Sequence, residues 1–198
     1  MTRLILASAS IARATLLRSA GVSFEVLPAG IDEDAIKEGL QAEAARPRGI
    51  AAALAERKAL QVSSARPDAL VIGADQTLDF DGELLSKSAA MDAVRLQLLS
   101  LRGRSHTLAT AAVMARDGVV VWRLVTDATL WMRDFSDSFL DDYIACEGDA
   151  LLDLVGGYRL EGLGAQLFRR IDGDYFSVLG LPLIAVLSAL RDYGGLRQ

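Results

Sequence analysis

Hydrophobic runs separated by short polar segments predict a chain of alternating strands and helices. The most informative run is residues 69–78, which read Ala-Leu-Val-Ile-Gly-Ala-Asp-Gln-Thr-Leu. Five of its first six residues are apolar, which is typical of a strand buried on both faces. Asp75 and Gln76 follow near its end, where an acid either faces a cleft or caps a turn.

The elements predicted before this strand are a short strand at residues 3–7, a helix at 11–20 closed by Gly21, a strand at 24–27 and a long helix at 47–64. The long helix is rich in alanine, and Lys58 lies on its apolar face. A lysine on such a face either extends its ammonium to water past a packed stem or reaches a bound anion. Lys58 is therefore a candidate ligand-binding residue.

The elements predicted after the strand are a hairpin of residues 77–80 and 83–85 around Asp81-Gly82, a helix at 89–101, strands at 106–115 and 119–132, a helix at 136–146, a second hairpin of residues 165–171 and 175–179, and a final helix at 183–193. Lys87 directly follows the first hairpin, which can return it toward Asp75. Residues 156–164 are dense in glycine, which either makes turns or lets the backbone approach a ligand closely.

The loop between the first strand and the first helix has the features of an anion site. Ser8 precedes Ser10, a candidate N-cap, and free backbone N–H groups and the helix dipole both favour negative charge there. Arg13 falls in the first helical turn, where a cation opposes the dipole. A phosphate bound at the loop would remove this conflict, whereas the alternative is a capping serine with a solvated arginine.

Three further groups are candidates for chemistry. Asp32-Glu33-Asp34 is either a solvated loop or a source of oxygen ligands for a divalent cation, and the second interpretation requires a partner for Glu33. Lysine is rare in this chain, so the few lysines can mark places that need a compact ammonium; they are Lys37, Lys58 and Lys87. His106, the one histidine, is more often a hydrogen-bonded structural residue than a general base.

Composition excludes several classes of protein. The chain has 198 residues, of which 52% are hydrophobic and 24% charged, enough for one good-sized core. A net charge of −5 argues against general affinity for nucleic acid. The single cysteine, Cys146, excludes an internal disulfide and a thiolate metal cluster. Without a signal-peptide core or an apolar run of roughly 20 residues, we expect a cytoplasmic protein with no membrane partner.

Several motifs, in order along nearly the whole chain, together resemble the Maf family of nucleoside triphosphate pyrophosphatases. They are Ser8-Ala9-Ser10 with Arg13 and Leu16-Leu17, Asp32-Glu33, Leu54-Ala55 with Lys58-Ala59, Gly73-Ala74-Asp75-Gln76, Lys87, Leu101-Arg102-Gly103 with His106, Gly156-Gly157-Tyr158, and Val178-Leu179-Gly180-Leu181-Pro182. Any one of these motifs alone is weak. Their succession at family-like spacing is specific.

The resemblance implies a mixed α/β fold related to the inosine triphosphatase-like architecture. Residues 1–198 would form one domain, an elongated twisted sheet with flanking helices and a cleft between two lobes that share the sheet. The implied reaction hydrolyses the bond between the α and β phosphates of a nucleoside triphosphate, with Mg²⁺ or Mn²⁺ as cofactor. By similarity, Asp75 is the general base and binds the metal together with Glu33. The positions that match residues around the triphosphate are Ser8, Ser10, Arg13, Lys58 and Lys87.

Substrate choice in the family depends on two positions. One is the residue directly after the general base, and the other is an acid or amide in the glycine-rich segment. Gln76 with Glu161 resembles the branch that acts on 7-methyl-GTP, and a carboxylate can accept two donors from the Watson–Crick edge of guanine. Ala12 departs from the family pattern, because Ile11-Ala12 replaces the usual proline and bulky residue, and alanine cannot stack on a base. Ser88 also departs from it, since a proline commonly follows the lysine.

Two other functions are compatible with the same resemblance. One is a pyrophosphatase for dTTP or UTP. The other is a nucleotide-binding regulator of cell division or septum formation whose catalysis is incidental. A homodimer is the assembly expected from the family.

Overall fold

One long central strand connects the parallel part of the sheet to its antiparallel part. The computed structural model describes residues 2–197, and the strands in that range are β1 (Arg3–Leu6), β2 (Glu25–Val26), β3 (Ala69–Phe80), β4 (Glu83–Leu85), β5 (Ser105–Arg116), β6 (Val119–Met132) and β7 (Phe168–Asp172). The strand order is β2-β1-β3-β5-β6-β7, and β4 also pairs with β3. β1 runs parallel to β2 and β3, while the other pairs are antiparallel, so the sheet is mixed.

Helices flank this sheet, which confirms the predicted mixed α/β fold. They are α1 (Ile11–Ser19), α2 (Glu33–Ala42), α3 (Pro47–Ala65), α4 (Met91–Leu101), α5 (Asp137–Glu147), α6 (Tyr175–Val178) and α7 (Leu183–Asp192), with 3₁₀ segments at Gly148–Asp153 and Leu163–Leu167. Side-chain oxygens of Ser10, Asp32 and Ser136 accept hydrogen bonds from the first turns of α1, α2 and α5. These bonds satisfy backbone donors that a helix start otherwise leaves free. Within residues 2–197, no helix is long and apolar enough to cross a membrane.

The sheet has a gap beside residues 73–77 of β3. One edge of β3 pairs with β5 over residues 71–79. On the other edge, the pairing with β1 ends at Ile72 and the pairing with β4 begins at Leu78. Because β1 runs parallel to β3 and β4 runs antiparallel to it, the chain leaves both strands in the direction of this gap. The topology thus places the loops after β1 and β4 beside Asp75 and Gln76.

A close contact between α3 and β3 forms the back of the gap. Gly73 makes this contact possible, because a Cβ atom there would lie 2.2 Å from the carbonyl oxygen of Ala55 and 2.6 Å from the nitrogen of Ala59. Small side chains extend the contact from α3 over β5; they include Ala51, Ala55, Ala59, Ala109, Ala111 and Ala115. Residues 73 and 75 point to the same face of the strand. The close approach therefore brings Lys58 of α3 to Asp75.

Asp75 lies in the middle of β3, so the expectation of an acid at the end of a strand was wrong. The strand continues to Phe80 because its far half pairs with β5 and β4. The acid faces the cavity because β1 has ended before it on the same edge, which a pattern of hydrophobic residues cannot reveal.

Two other predicted elements also differ from the structure. The second predicted hairpin is wrong, because residues 175–178 form α6 and β7 pairs with β6. Asp174 explains the helix, since its carboxylate accepts from the Ser177 backbone nitrogen at 2.7 Å and caps the turn. Asp32-Glu33-Asp34, for which a solvated loop was one of two interpretations, instead begins α2, because Asp32 caps this helix by accepting from the Ala35 nitrogen at 3.0 Å.

Candidate active site

A cavity of about 580 Å³ occupies the gap beside β3. Its polar side chains come from the loop after β1, from α1, α2 and α3, from β3 itself, from the loop after β4 and from the 3₁₀ segment at Gly148–Asp153. The structure brings together in this lining the residues predicted for phosphate binding, catalysis and metal binding, namely Ser8, Ser10, Arg13, Glu33, Lys58, Asp75 and Lys87.

The Lys58 ammonium lies between two acids of this cavity. Its Nζ is 2.6 Å from Oδ1 of Asp75 and 2.8 Å from Oε1 of Glu33. The exposed fraction of the side chain is 7% for Lys58, 8% for Asp75 and 42% for Glu33. Lys58 therefore does not extend to water, and it forms a buried ion pair with Asp75. Such a pair is a costly way to stabilise a fold, because both charges lose their hydration.

Ser8, Ser10 and Arg13 form one hydrogen-bonded unit. Ser10 caps α1 by accepting from the Arg13 backbone nitrogen at 3.3 Å, and Oγ of Ser8 accepts from Nη1 of Arg13 at 3.2 Å. Nε of Arg13 donates to the Gly180 carbonyl oxygen at 2.8 Å. Burial lowers the pKa of the Arg13 guanidinium, which the carboxylates of Asp75 and Glu33 oppose. An arginine still stays protonated at neutral pH, so a fixed cation lies at this helix start.

All three lysines of the chain line this cavity. Lys58 and Lys87 are predicted site residues, whereas the rarity of lysine is the one signal in the sequence for Lys37 on α2. Together with Arg13, four cationic side chains surround the cavity, against three carboxylates from Glu33, Asp75 and Asp153. In a chain of net charge −5, this local excess of positive charge favours an anionic ligand.

A second, smaller cavity adjoins the first at Gln76, which lines both. The three residues predicted to set specificity, Ala12, Gln76 and Glu161, all line this second cavity. Tyr158 and Leu108 add an aromatic ring and apolar surface to the lining. A charged cavity beside a partly apolar one has the composition expected for the phosphates and the base of a nucleotide.

Arg159 also lines the second cavity, although it is not among the predicted site residues. Its Nη1 lies 3.3 Å from Oε2 of Glu147, and its Nε lies 3.9 Å from Oε1 of Glu161. The hydroxyl of Tyr143 accepts from the Arg159 backbone nitrogen at 3.2 Å, so α5 supports this segment from behind. No motif marks Arg159, because its contacts with α5 depend on how the segment after that helix folds back onto it.

His106 is buried and lines neither cavity. Its Nε2 is 2.7 Å from the hydroxyl of Tyr158, and its Nδ1 has no partner among the described residues. Burial lowers the pKa of His106 from 6.5 to about 4. The residue therefore supports the Tyr158 ring beneath the second cavity, in agreement with the structural interpretation of this histidine.

Because His106 is buried, we expect the stability of the protein to depend on pH. The unfolded chain protonates His106 below about pH 6.5, whereas the folded chain does so only near pH 4, so the unfolded state binds more protons between these values. We expect the free energy of unfolding to fall by about 2 kcal/mol more between pH 7 and pH 5 in the wild type than in His106→Gln. Urea unfolding of both proteins at the two pH values measures this difference, and equal losses would contradict it.

The fold and the site together define a mixed α/β protein with a cleft in its sheet that cationic side chains and a buried acid line. A family model described as Maf-like protein matches residues 3–193, and the chain belongs to the Maf family. A nucleoside triphosphate pyrophosphatase of Caulobacter vibrioides is 54% identical to it, covering 99% of this chain and 98% of the relative. A protein of the same name from Paramagnetospirillum magneticum is 48% identical, covering 97% and 99%. A 7-methyl-GTP pyrophosphatase of Brucella abortus is 46% identical, covering 96% and 95%.

Proposed function

We propose that this protein hydrolyses nucleoside triphosphates between the α and β phosphates and releases a nucleoside monophosphate and pyrophosphate. The observation that carries the proposal is the buried carboxylate of Asp75, which Lys58 holds at 2.6 Å inside a cavity with an excess of cations. Full-length relatives at 46% to 54% identity named as nucleotide pyrophosphatases support the same activity.

In this reaction, Asp75 accepts the proton of the attacking water. Lys58 fixes the position of that carboxylate, and its charge offsets the repulsion between Asp75 and the phosphates. Arg13 and Lys87 neutralise negative charge on the phosphoryl oxygens, and the backbone N–H groups at the start of α1 add donors. Positioning and charge neutralisation of this kind supply most of the catalysis in phosphoryl transfer.

Glu33 and Asp75 are the residues that would hold a divalent cation. The Lys58 ammonium lies between their carboxylates, at 2.8 and 2.6 Å from one oxygen of each, so a metal ion would bind through the carboxylate oxygens that do not contact Lys58. Residues 2–197 contain no cluster of three or more His, Cys, Asp or Glu side chains that could hold a metal ion, so water and the substrate's own phosphates would have to supply the other ligands of Mg²⁺ or Mn²⁺. Such an ion supplies charge neutralisation and orients the phosphates.

For the base, we propose 7-methylguanine. Glu161 is half exposed and lies in the second cavity, where its carboxylate can accept from two donors on the edge of guanine. Methylation at N7 makes this base cationic, which adds attraction to a carboxylate. Ala12 cannot stack on the base. The choice of base therefore depends more on the side chains that form hydrogen bonds with it.

The test is pyrophosphate release from a panel of 7-methyl-GTP, GTP, UTP and dTTP with Mg²⁺ or Mn²⁺. We expect Glu161→Gln to lower kcat/KM for 7-methyl-GTP by about tenfold to a hundredfold, because a charge-assisted hydrogen bond is lost. Turnover of UTP should change little and serves as the internal control. Equal losses on both nucleotides would refute the role of Glu161, and nucleotide binding without any pyrophosphate release would refute the enzymatic function.

A further inference from the structure

Three neighbouring strands place a row of polar side chains on the face opposite Lys58. Strand pairing puts Gln76 of β3 opposite Thr110 of β5, and Thr110 opposite Thr126 of β6. Because side chains alternate along a strand, Gln76 points away from the face on which its neighbour Asp75 meets α3. Ser177 of α6 covers this row, since it bonds to members of all three strands.

The nitrogen of the Gln76 side-chain amide is fully committed to protein acceptors. Nε2 donates to Oγ1 of Thr110 at 2.8 Å and to the carbonyl oxygens of Ser177 at 2.9 Å and Val178 at 3.2 Å. Two of these partners are backbone carbonyls, which can only accept. If the amide were rotated by 180°, its oxygen would face these two carbonyl oxygens, which cannot donate a hydrogen bond. The hydrogen bonds of the nitrogen therefore fix the orientation of the amide.

The oxygen of the same amide remains available to a ligand. Among the described residues, Oε1 has no hydrogen-bond partner, and the only buried side-chain polar atom without a partner is His106 Nδ1. Oε1 is thus open to solvent, on a residue that lines both cavities. Gln76 can offer a ligand an acceptor but no donor, as does the carboxylate of Glu161 in the second cavity.

Within this row, Thr110 is the residue whose side chain bonds both to the Gln76 amide and to the Ser177 carbonyl oxygen that also holds this amide. Its hydroxyl accepts from Gln76 and donates to the Ser177 carbonyl oxygen at 2.8 Å. Ser177 is itself held, because its hydroxyl donates to Asp174 at 2.7 Å and accepts from Thr126 at 3.0 Å. Thr110 is also buried, so water cannot replace its hydroxyl without repacking.

We propose that Thr110 is a positioning residue that holds the Gln76 amide with its oxygen toward the base, and so selects a base whose facing edge carries hydrogen-bond donors. The adjacent N1–H and 2-amino groups of guanine form such an edge, whereas uracil and thymine present one donor between two acceptors. This inference rests on the proposed function and specifies how the same site reads its substrate.

Kinetics of Thr110→Val test the proposal, because valine keeps the shape of threonine and removes the hydroxyl. We expect KM for 7-methyl-GTP and GTP to rise by about fivefold to tenfold, the effect of losing one well-placed hydrogen bond, with little change in kcat. Thr110→Ser keeps the hydroxyl and should restore KM. Thr126→Val removes a hydroxyl from the same row that contacts Ser177 rather than Gln76, and should raise KM less than Thr110→Val does. An unchanged KM in Thr110→Val would overturn the proposal.

A double-mutant cycle separates this role from a general structural one. If Thr110 acts through the amide, Thr110→Val should have almost no further effect on KM in a Gln76→Ala background. An equal rise in both backgrounds would show that Thr110 acts on the cavity by another route and would overturn the proposal.

Hydrogen exchange of the Gln76 side-chain amide gives a readout that needs no turnover. We expect its two protons to exchange slowly in the wild type and in Thr110→Ser, and at least severalfold faster in Thr110→Val. Equal exchange in all three proteins would overturn the proposal even if pyrophosphate is released. Slow exchange with no pyrophosphate release from any nucleotide would instead refute the proposed function and leave Thr110 as the residue that fixes the amide.

Discussion

Asp75→Asn should lower kcat for pyrophosphate release by a factor on the order of 10² to 10⁴, the usual contribution of a general base. Asparagine has nearly the same shape as aspartate, and its side-chain oxygen can still accept from Lys58 Nζ, which lies 2.6 Å from the carboxylate. The substitution therefore removes the proton acceptor while leaving the cavity in place. Initial rates at saturating nucleotide and Mg²⁺ measure the effect.

Two controls distinguish a lost base from a changed cavity charge. Asp153→Asn removes another carboxylate that lines the same cavity and has no ion-pair partner among residues 2–197, so it should keep close to the parental rate. In the absence of a divalent cation, a triphosphate with a methylene bridge between its α and β phosphates should bind Asp75→Asn at least as tightly as the parent, because one negative charge has gone. Similar rate losses in Asp153→Asn and Asp75→Asn would argue against Asp75 as the general base.

Three of the candidate site residues stand out in the sequence because each conflicts with its local structure, whereas Glu33 and Lys87 are assigned to the site by the family resemblance. Arg13 opposes the dipole of its own helix, and Lys58 lies on a face that should be apolar. Asp75 ends an apolar run. Such conflicts are visible in a single chain because they depend on residues a few positions apart, and they point to ligand binding when several occur together.

The geometry of the site could not be predicted, because it depends on contacts between distant segments. Nothing in the spacing of Lys58 and Asp75 shows that they pair, since the contact requires α3 to pack closely on β3 at Gly73. The gap that exposes Asp75 likewise arises from where β1 and β4 stop pairing along β3. Turn chemistry misled the assignment of α6, because Asp174 follows a glycine and reads equally well as a hairpin turn or a helix cap.

Gly73→Ala should reduce both stability and activity, although alanine is normally the better residue inside a strand. The new Cβ atom would lie 2.2 Å from the Ala55 carbonyl oxygen and 2.6 Å from the Ala59 nitrogen. Both are backbone atoms of α3, so the whole helix must move. We expect a loss of about 3 kcal/mol or more in the free energy of unfolding, at the upper end of overpacking effects. A shift of about 1 Å in Lys58 relative to Asp75 would also lower kcat by roughly a hundredfold.

Gly49→Ala is the matched control for this prediction, because it adds the same methyl group to α3 at a position where no atom lies within 4 Å apart from the chain neighbours and the nearby backbone of the helix itself. It should stabilise the protein slightly, by up to about 1 kcal/mol, and leave kcat unchanged. Urea unfolding and pyrophosphate release, measured on both variants, separate the two effects of Gly73. A Gly73→Ala protein with parental stability and rate would show that α3 does not need this close approach, and that the Lys58–Asp75 pair is positioned by other contacts.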